Sequence, residues 1–426
     1  LPPQTLKIVV LILFIITYIF LFALTKYRAL VAAGAAAVFI IIGAMPVAEI
    51  GQAINFNVLM MIAGTMGTVF LFNESKMPAL LADLIIEKTP NVKWAIISLS
   101  IFAGIVSAFI DNVATVLMVA PIALNIAKKL NMSPVASIIA ISIASNLEGA
   151  ATLVGDTTSI MLGGYAGMNF IDFFFFQGRV GMFWIVQVGL LLATLVLLMV
   201  FRREKQPIVA LERTKVTHAF PTVMLLGTVI LLIAASFFEN APTLINGYIC
   251  IGLFIIGLIY EFIRTKSVKP IISALKEIDY MTLLQLAALF VVVASISNVG
   301  IIDDIGSFFI NLSDNIFVIY TLIVWISVIL SAFIDNIPYT ATMLPVVSSI
   351  AAGMNIEPYI LYFGLLVGAT LGGNLTPVGA SANVAAIGIL RKEGYEVSTG
   401  TFMKISVPYT LAAVIGGYVM LWIFWS

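Results

Sequence analysis

Long apolar stretches alternate with short polar breaks from one end of the chain to the other. Runs bounded by charges or Gly/Pro breaks fall near residues 7–24, 29–46, 56–73, 94–127, 133–166 and 179–201. A second set follows near 220–238, 245–263, 280–299, 315–350, 356–390 and 403–425. A helix needs about 20 apolar residues to cross roughly 30 Å of hydrocarbon, and most runs meet that length. The fourth and fifth runs of each set are too long for one crossing and carry polar residues in the middle. The pattern predicts a polytopic α-helical membrane protein with no sizeable soluble domain.

The two sets are copies of one another. SAFIDNVATVLMVAP from Ser107 to Pro121 recurs as SAFIDNIPYTATMLP from Ser331 to Pro345, a shift of 224 positions (331 − 107). At the same shift Gly149 falls on Gly373, Thr152 on Thr376, Val154-Gly155 on Val378-Gly379 and Ile54 on Ile278. The fourth run reads as a re-entrant hairpin with its tip at an Asp-Asn pair, and the fifth as one interrupted span. Each copy then crosses five times, and an odd number of crossings turns the second copy upside down. The expected fold is all-α: two inverted-topology repeats of five transmembrane helices, each with a re-entrant helical hairpin and an interrupted helix. Residues 1–205 form the first repeat, with hairpin 94–127 entering from the cytoplasmic side and broken helix 133–166. A cytoplasmic linker covers 206–219. Residues 220–426 form the second repeat, with hairpin 315–350 entering from the outside and broken helix 356–390.

Composition and charge sharpen this picture. Hydrophobic residues fill 62% of positions and charged ones 10%, which excludes an ordinary soluble domain. The 21 basic and 21 acidic residues balance, so nothing points to nucleic acid as a partner. On the topology above every Lys and Arg except Lys7 and Arg179 falls on one face. Glu49, Asp172, Glu239, Asp303, Asp304, Asp314 and Glu357 collect on the other, which assigns the basic loops to the cytoplasm. Cys250 and His218 are the sole residues of their kinds, so an internal disulfide and the usual Cys/His metal cluster are excluded. The run from Lys7 to Leu24 lacks a small-residue cleavage site and reads as a spanning helix, while the Leu1 start suggests trimming upstream.

Inside hydrocarbon, backbone that leaves the helix survives only where it is buried in protein or lines a wet cavity. Four such breaks are expected, and they supply the candidate substrate- and ion-binding residues. The hairpin tips give Asp111 and Asn112, and Asp335 and Asn336. The first interrupted span gives Asn146, Glu148, Gly149, Thr152, Gly155, Asp156 and Thr157; the second gives Gly373, Asn374, Thr376, Gly379, Ser381 and Asn383. In an inverted pair these breaks converge near the midplane, where helix N-termini and freed carbonyls meet a solute. Asp111 and Asp335 read equally as N-caps of the second hairpin arm and as functional acids, since an ionisable residue at membrane depth costs about 2.5–3.5 kcal/mol. Glu148 and Asp156 face neutral Gly372 and Ala380 at the 224 shift and so break the symmetry. No Lys or Arg is expected at the midplane, which favours H⁺, Na⁺ or a neutral solute over a free anion. Buried carboxylates also serve as proton carriers.

SAFIDN ahead of a Pro-bearing helix, SNLEGAATLVGD in the middle and GGNLTPVGASANV near the end resemble the arsenite permease and sodium/proton antiporter branch of the ion transporter superfamily, over nearly the whole chain. The resemblance implies a homodimer and a scaffold around residues 7–46 and 220–265. It also implies a mobile transport part, carrying the hairpins and broken helices, that moves like an elevator. By that resemblance Asn112, Asn336, Thr157 and Ser381 are cation or substrate ligands, and Asn112, Asp156, Asn336 and Ser381 are the candidates for Na⁺. The tips depart from those of the superfamily's dicarboxylate carriers, which resemble Ser-Asn-Thr rather than the Ile-Asp-Asn at 110–112 and 334–336. The expected function is secondary active transport of a small ion or solute coupled to H⁺ or Na⁺, with no enzymatic activity and no other cofactor. Arsenite/proton and sodium/proton exchange are the first candidates; an ion channel or a sodium-coupled anion or dicarboxylate carrier is the alternative. Expected partners are membrane lipid, the transported solute and a second copy of the chain.

Overall fold

Ten helices carry the first half of the chain: α1 (Pro3–Ala23), α2 (Arg28–Ile41), α3 (Ile50–Ala53), α4 (Phe56–Glu74), α5 (Met77–Glu87), α6 (Val92–Ser107), α7 (Asn112–Lys129), α8 (Val135–Glu148), α9 (Thr157–Ala166) and α10 (Met182–Val200). Ten more carry the second: α11 (Phe220–Ala235), α12 (Ile245–Thr265), α13 (Lys269–Glu277), α14 (Tyr280–Asn298), α15 (Ile301–Leu312), α16 (Ile316–Ser331), α17 (Asn336–Gly353), α18 (Tyr359–Leu366), α19 (Ser381–Lys392) and α20 (Thr399–Trp425). The structure, a computed structural model, describes residues 2–208, 213–238 and 241–426. By length and composition α1, α4, α10, α12, α14 and α20 are each able to cross a bilayer. Glu239 lies outside the described residues.

The duplication extends to where helices start and stop. Shifted by 224 positions, α4 coincides with α14, α6 with α16 and α7 with α17 at both ends. The stops have matching chemistry. Asp111 accepts the backbone N–H of Ala114 and caps α7, while Asp335 accepts that of Ile337 and caps α17. Asn55 caps α4 through Val58 N–H, and its mate Asp279 caps α14 through Thr282 N–H.

The interrupted helices differ between the halves. α8 ends at Glu148 and α9 begins after Asp156, which leaves residues 149–156 unwound. In the second half α18 widens instead into a π turn, Val367–Leu371, followed by a 3₁₀ turn, Gly373–Leu375. Wide turns of this kind gather at functional positions.

Packing joins distant parts of the chain. α2 lies against α14 and α4 runs along α12, with α11 beside them. α6 packs on α8, α10 along α20, α15 on α17, and α19 on both α7 and α8. The interdomain stretch is tied back to the first half: Val92 N–H donates to Gln206 O at 3.0 Å and Lys93 N–H to Glu204 O at 2.8 Å. Lys7 meets Asp304 at 2.6 Å, so the one basic residue of α1 sits on an acid of α15.

The apolar runs do not reveal every element. α5, α13 and α15 fall between them, because helices of 11, 9 and 12 residues with one polar face are too short to register as spans. The run drawn to residue 46 ends as a helix at Ile41, where Gly43 turns the chain at φ +81°. A two-strand hairpin, Phe175–Phe176 with Arg179–Val180, precedes α10.

Candidate functional site

Two tips and two broken helices interlock in the middle of the molecule. A side chain at Gly155 would place its Cβ 2.7 Å from Gly149 O and 2.9 Å from Ala108 O, and one at Gly379 would lie 2.6 Å from Gly373 O and 2.8 Å from Ala332 O. Only glycine lets each unwound segment lie this close under its tip. Thr152 Oγ1 donates to Ala108 O, and Thr376 Oγ1 donates to Ala332 O at 2.5 Å, so the same bond pins the tip in both halves.

Polar side chains then tie the halves together. Asn146 Nδ2 donates to Thr370 O at 2.8 Å, a contact between positions 224 apart and hence between a residue and its own repeat mate. Thr158 and Thr370 share a hydroxyl bond at 2.8 Å, and Asn374 Nδ2 donates to Ile143 O at 2.8 Å. Asn383 accepts from Ser142 Oγ at 2.6 Å and donates to Gly373 O and Thr376 O. Asn112 is held by Ser107 Oγ at 2.7 Å and donates to Asn146 Oδ1 at 3.2 Å.

Asp156 is the junction. Its Oδ1 accepts from Thr157 N–H at 2.8 Å and caps α9, while Oδ2 accepts from Thr158 Oγ1 at 2.8 Å and from Asn336 Nδ2 at 3.2 Å. Asn336 belongs to the second tip, so a carboxylate of one half is bound by the tip of the other.

A cavity of about 250 Å³ opens at this junction. Asp111, Asn112, Asn146, Asp156, Thr157, Asn336 and Ser381 line it, which brings all four candidate Na⁺ ligands to one space. Glu277 and Asp279 are exposed and mark its mouth, with Asn73 and Thr282 on the walls. Among the described residues four carboxylates and no Lys, Arg or His line it. Nor do three of His, Cys, Asp or Glu gather among the described residues as a metal cluster would. A cation here would meet mixed carboxylate, amide, hydroxyl and carbonyl oxygens, the donor set of hard ions. A second cavity of about 530 Å³, lined by Gln52, Asn55, Asn57, Met161, Leu344 and Pro345 among others, shares no lining residue with the first.

Other candidates lie elsewhere. Gly149, Thr152, Gly155, Gly373, Asn374, Thr376, Gly379 and Asn383 build the framework under the tips without lining the cavity. Glu148 is fully buried and turned away, its Oε2 accepting from Gln187 Nε2 at 2.7 Å. Asp335 also points elsewhere, and one expectation needs correcting. No Lys or Arg is expected at the midplane, yet Arg28 Nη1 lies 2.5 Å from Asp335 Oδ2 at the second tip. The turn between the first two spans, which the expected topology puts in a cytoplasmic loop, is folded against the second tip. Tyr18 joins it there, donating to Pro338 O at 2.7 Å and bonding Thr342 Oγ1.

The pattern of the sequence does not single out Glu277 and Asp279, although both line the cavity. One signal for Asp279 was available: at the 224 shift an acid replaces Asn55 at a helix cap.

Comparison with known proteins follows the same lines. The profile of a family described as citrate transporter matches residues 9–368. The chain is 30% identical over 375 residues to an uncharacterized transporter of Mycobacterium tuberculosis, covering 87% of this chain and 86% of that protein. It is 26% identical to the P protein of Homo sapiens over 88% of this chain, which spans 54% of that longer protein. The crystal structure of the YdaH transporter of Alcanivorax borkumensis shares the fold, with a TM-score of 0.59, 16% identity, and coverage of 94% of this chain and 97% of that one.

Proposed function

The chain belongs to the citrate transporter family, within the ion transporter superfamily, and on that premise we propose that it is a cation-coupled secondary active transporter. One observation carries the reading. Both tips and the first unwound segment bound a single cavity that presents Asp111, Asp156, Glu277 and Asp279 and, among the described residues, no positive side chain. Such a space attracts cations and protons. A polycarboxylate entering it would be repelled unless its charge were covered by cations or protons.

The repeat gives this carrier its two states. With the second half inverted and α6–α7 and α16–α17 as re-entrant hairpins, the halves exchange roles when the site passes from one face to the other. Lys276 precedes Glu277 at the acidic mouth, and the bias of basic loops toward the cytoplasm supports a site that opens to that side in this conformation. The second cavity, near Gln52 and Asn57, is then the closed route to the outside. The scaffold comprises residues 7–46 and 220–265 and holds the dimer; the hairpins and broken helices move as an elevator against it.

The experiment is transport in proteoliposomes under an imposed pH or Na⁺ gradient, with Na⁺, arsenite and citrate as cargoes. A gradient should drive accumulation of one of them, and Asp111→Asn should uncouple it. Accumulation by Asp111→Asn equal to the parent, or no response of the parent to either gradient, would remove the coupling role.

A further inference from the structure

The acid that the cavity does not use occupies a chamber of its own. Glu148 ends α8 and is 0% exposed, closed in by α6, α10 and α20. Gln187 of α10 gives Oε2 a single hydrogen bond at 2.7 Å, and Oε1 has no partner. The hydroxyl of Tyr409 on α20, also 0% exposed, is unpartnered too. Space for the side chain is made by Gly104 of α6, where any Cβ would lie 2.9 Å from Glu148 Cγ.

Among the described residues no Lys, Arg or His pairs with this carboxylate, and the basic residues of α7 and α19, which also pack on α8, sit in the last turns of those helices, at Lys128 and Lys129 and at Arg391 and Lys392. α8 and α10 carry no other titratable side chain, and on α6 there is only Lys93 at its start. On α20 Lys404 is exposed and Tyr418 is engaged with Thr321, which leaves the buried Tyr409 as the titratable group of that helix without a partner among the described residues. An ionised carboxylate buried with one hydrogen bond is costly, because neither water nor a counter-charge offsets its desolvation. Binding one proton at Oε1 removes that charge and creates an O–H donor, on a helix packed against the one that carries an unfilled phenolic oxygen.

We propose that Glu148, held by Gln187 in the buried chamber that α20 closes with Tyr409, is a second, proton-specific binding site separate from the cavity. Its neighbours α6, α8, α10 and α20 pack on one another, so the proton travels with them. What that proton does rests on the carrier reading; that the site takes up and releases it does not. The repeat mate of Glu148 is Gly372, so the site exists in one half only and gives the two directions of movement different proton occupancy.

The test uses the proton itself as probe. Acid-minus-alkaline infrared difference spectra of the purified full chain in liposomes should show a titrating carboxylic C=O band. That band should be absent in Glu148→Gln, shifted in frequency in Gln187→Leu and in Tyr409→Phe, and retained in Asp111→Asn. A Glu148→Gln spectrum identical to the parent overturns the site, as does a Glu148 band that stays unchanged at every pH. If Glu148→Gln does not fold, Gln187→Leu decides: every band unshifted overturns the proposal. Failure of the cavity reading appears separately, as Asp111→Asn that stays coupled while the Glu148 band remains.

Discussion

Arg28 Nη1 and Asp335 Oδ2 stand 2.5 Å apart, joining the turn between the first two helices to the tip of the second hairpin. Their side chains are 17% and 11% exposed, so the pair is largely out of water. Among the described residues the repeat-related position has no such pair: the mate of Arg28 is Gly252, and Asp111 faces the cavity instead. One tip is latched and the other free, which is the asymmetry that a carrier caught on one side should show.

Removing Arg28 tests that latch. Arg28→Ala leaves Asp335 without its counter-charge, a loss toward the lower end of about 3–5 kcal/mol for a buried pair broken on one side. The thermal midpoint in detergent should fall, and Asp335→Asn added to Arg28→Ala should recover most of it. Equal midpoints for the single and double variants would mean that the contact does not hold the tip.

Asp156 caps α9 and, in the proposed carrier, also binds the coupling cation, and substitution separates the two roles. Asp156→Asn keeps a capping oxygen for α9 and should fold like the parent, while its affinity for the coupling cation drops at least tenfold, about 1.4 kcal/mol. Asp156→Ala should lose the same affinity and a further 0.5–2 kcal/mol or so of stability with the cap. Cation-dependent thermal shifts of the two variants measure both quantities.

The close passage of backbone under each tip makes a symmetric expectation. Gly155→Ala and Gly379→Ala force a methyl group within 3 Å of two and three carbonyl oxygens respectively and should each destabilise by about 1–3 kcal/mol or more. Gly51→Ala, where a Cβ meets nothing within 4 Å, is the control and should leave the folded yield unchanged.

The cavity mouth offers a milder change. Asp279→Asn installs the residue that its mate Asn55 already uses as a cap, so α14 should keep its start. Loss of the exposed charge should weaken the coupling cation about twofold to fivefold, the scale of an exposed interaction of about 0.5–1 kcal/mol. The weakening should fade as ionic strength rises. The apparent affinity of gradient-driven uptake, measured at two salt concentrations, reads this directly.

Much of this architecture is written in the chain, and the duplication is the reason. Two copies of SAFIDN mark where both hairpins break, and the Gly and Thr pairs at 149, 152 and 155 mark the unwound backbone beneath them. Contacts between distant segments are less legible. Nothing in the neighbourhood of Arg28 says that it folds onto residue 335, because charge at the end of a span usually means solvent. Glu148 is a similar case: one helical residue from an unwound segment, it looked like part of the site, but it lies two positions past Asn146 on the opposite side of α8. The short amphipathic helices α5, α13 and α15 escaped because hydropathy over a span-length window averages their two faces away.

The most direct test is which side of the membrane can reach the cavity. Ala114 lines it without bonding through its side chain, and the native Cys250 is buried, so Ala114→Cys supplies one reactive thiol. In oriented proteoliposomes an impermeant thiol reagent should label it from the basic face in the conformation described here. Reversing the coupling gradient should shift labelling to the opposite face, never both at once. Labelling from both faces together would indicate a continuous pore, and labelling from one face under every gradient would contradict alternating access.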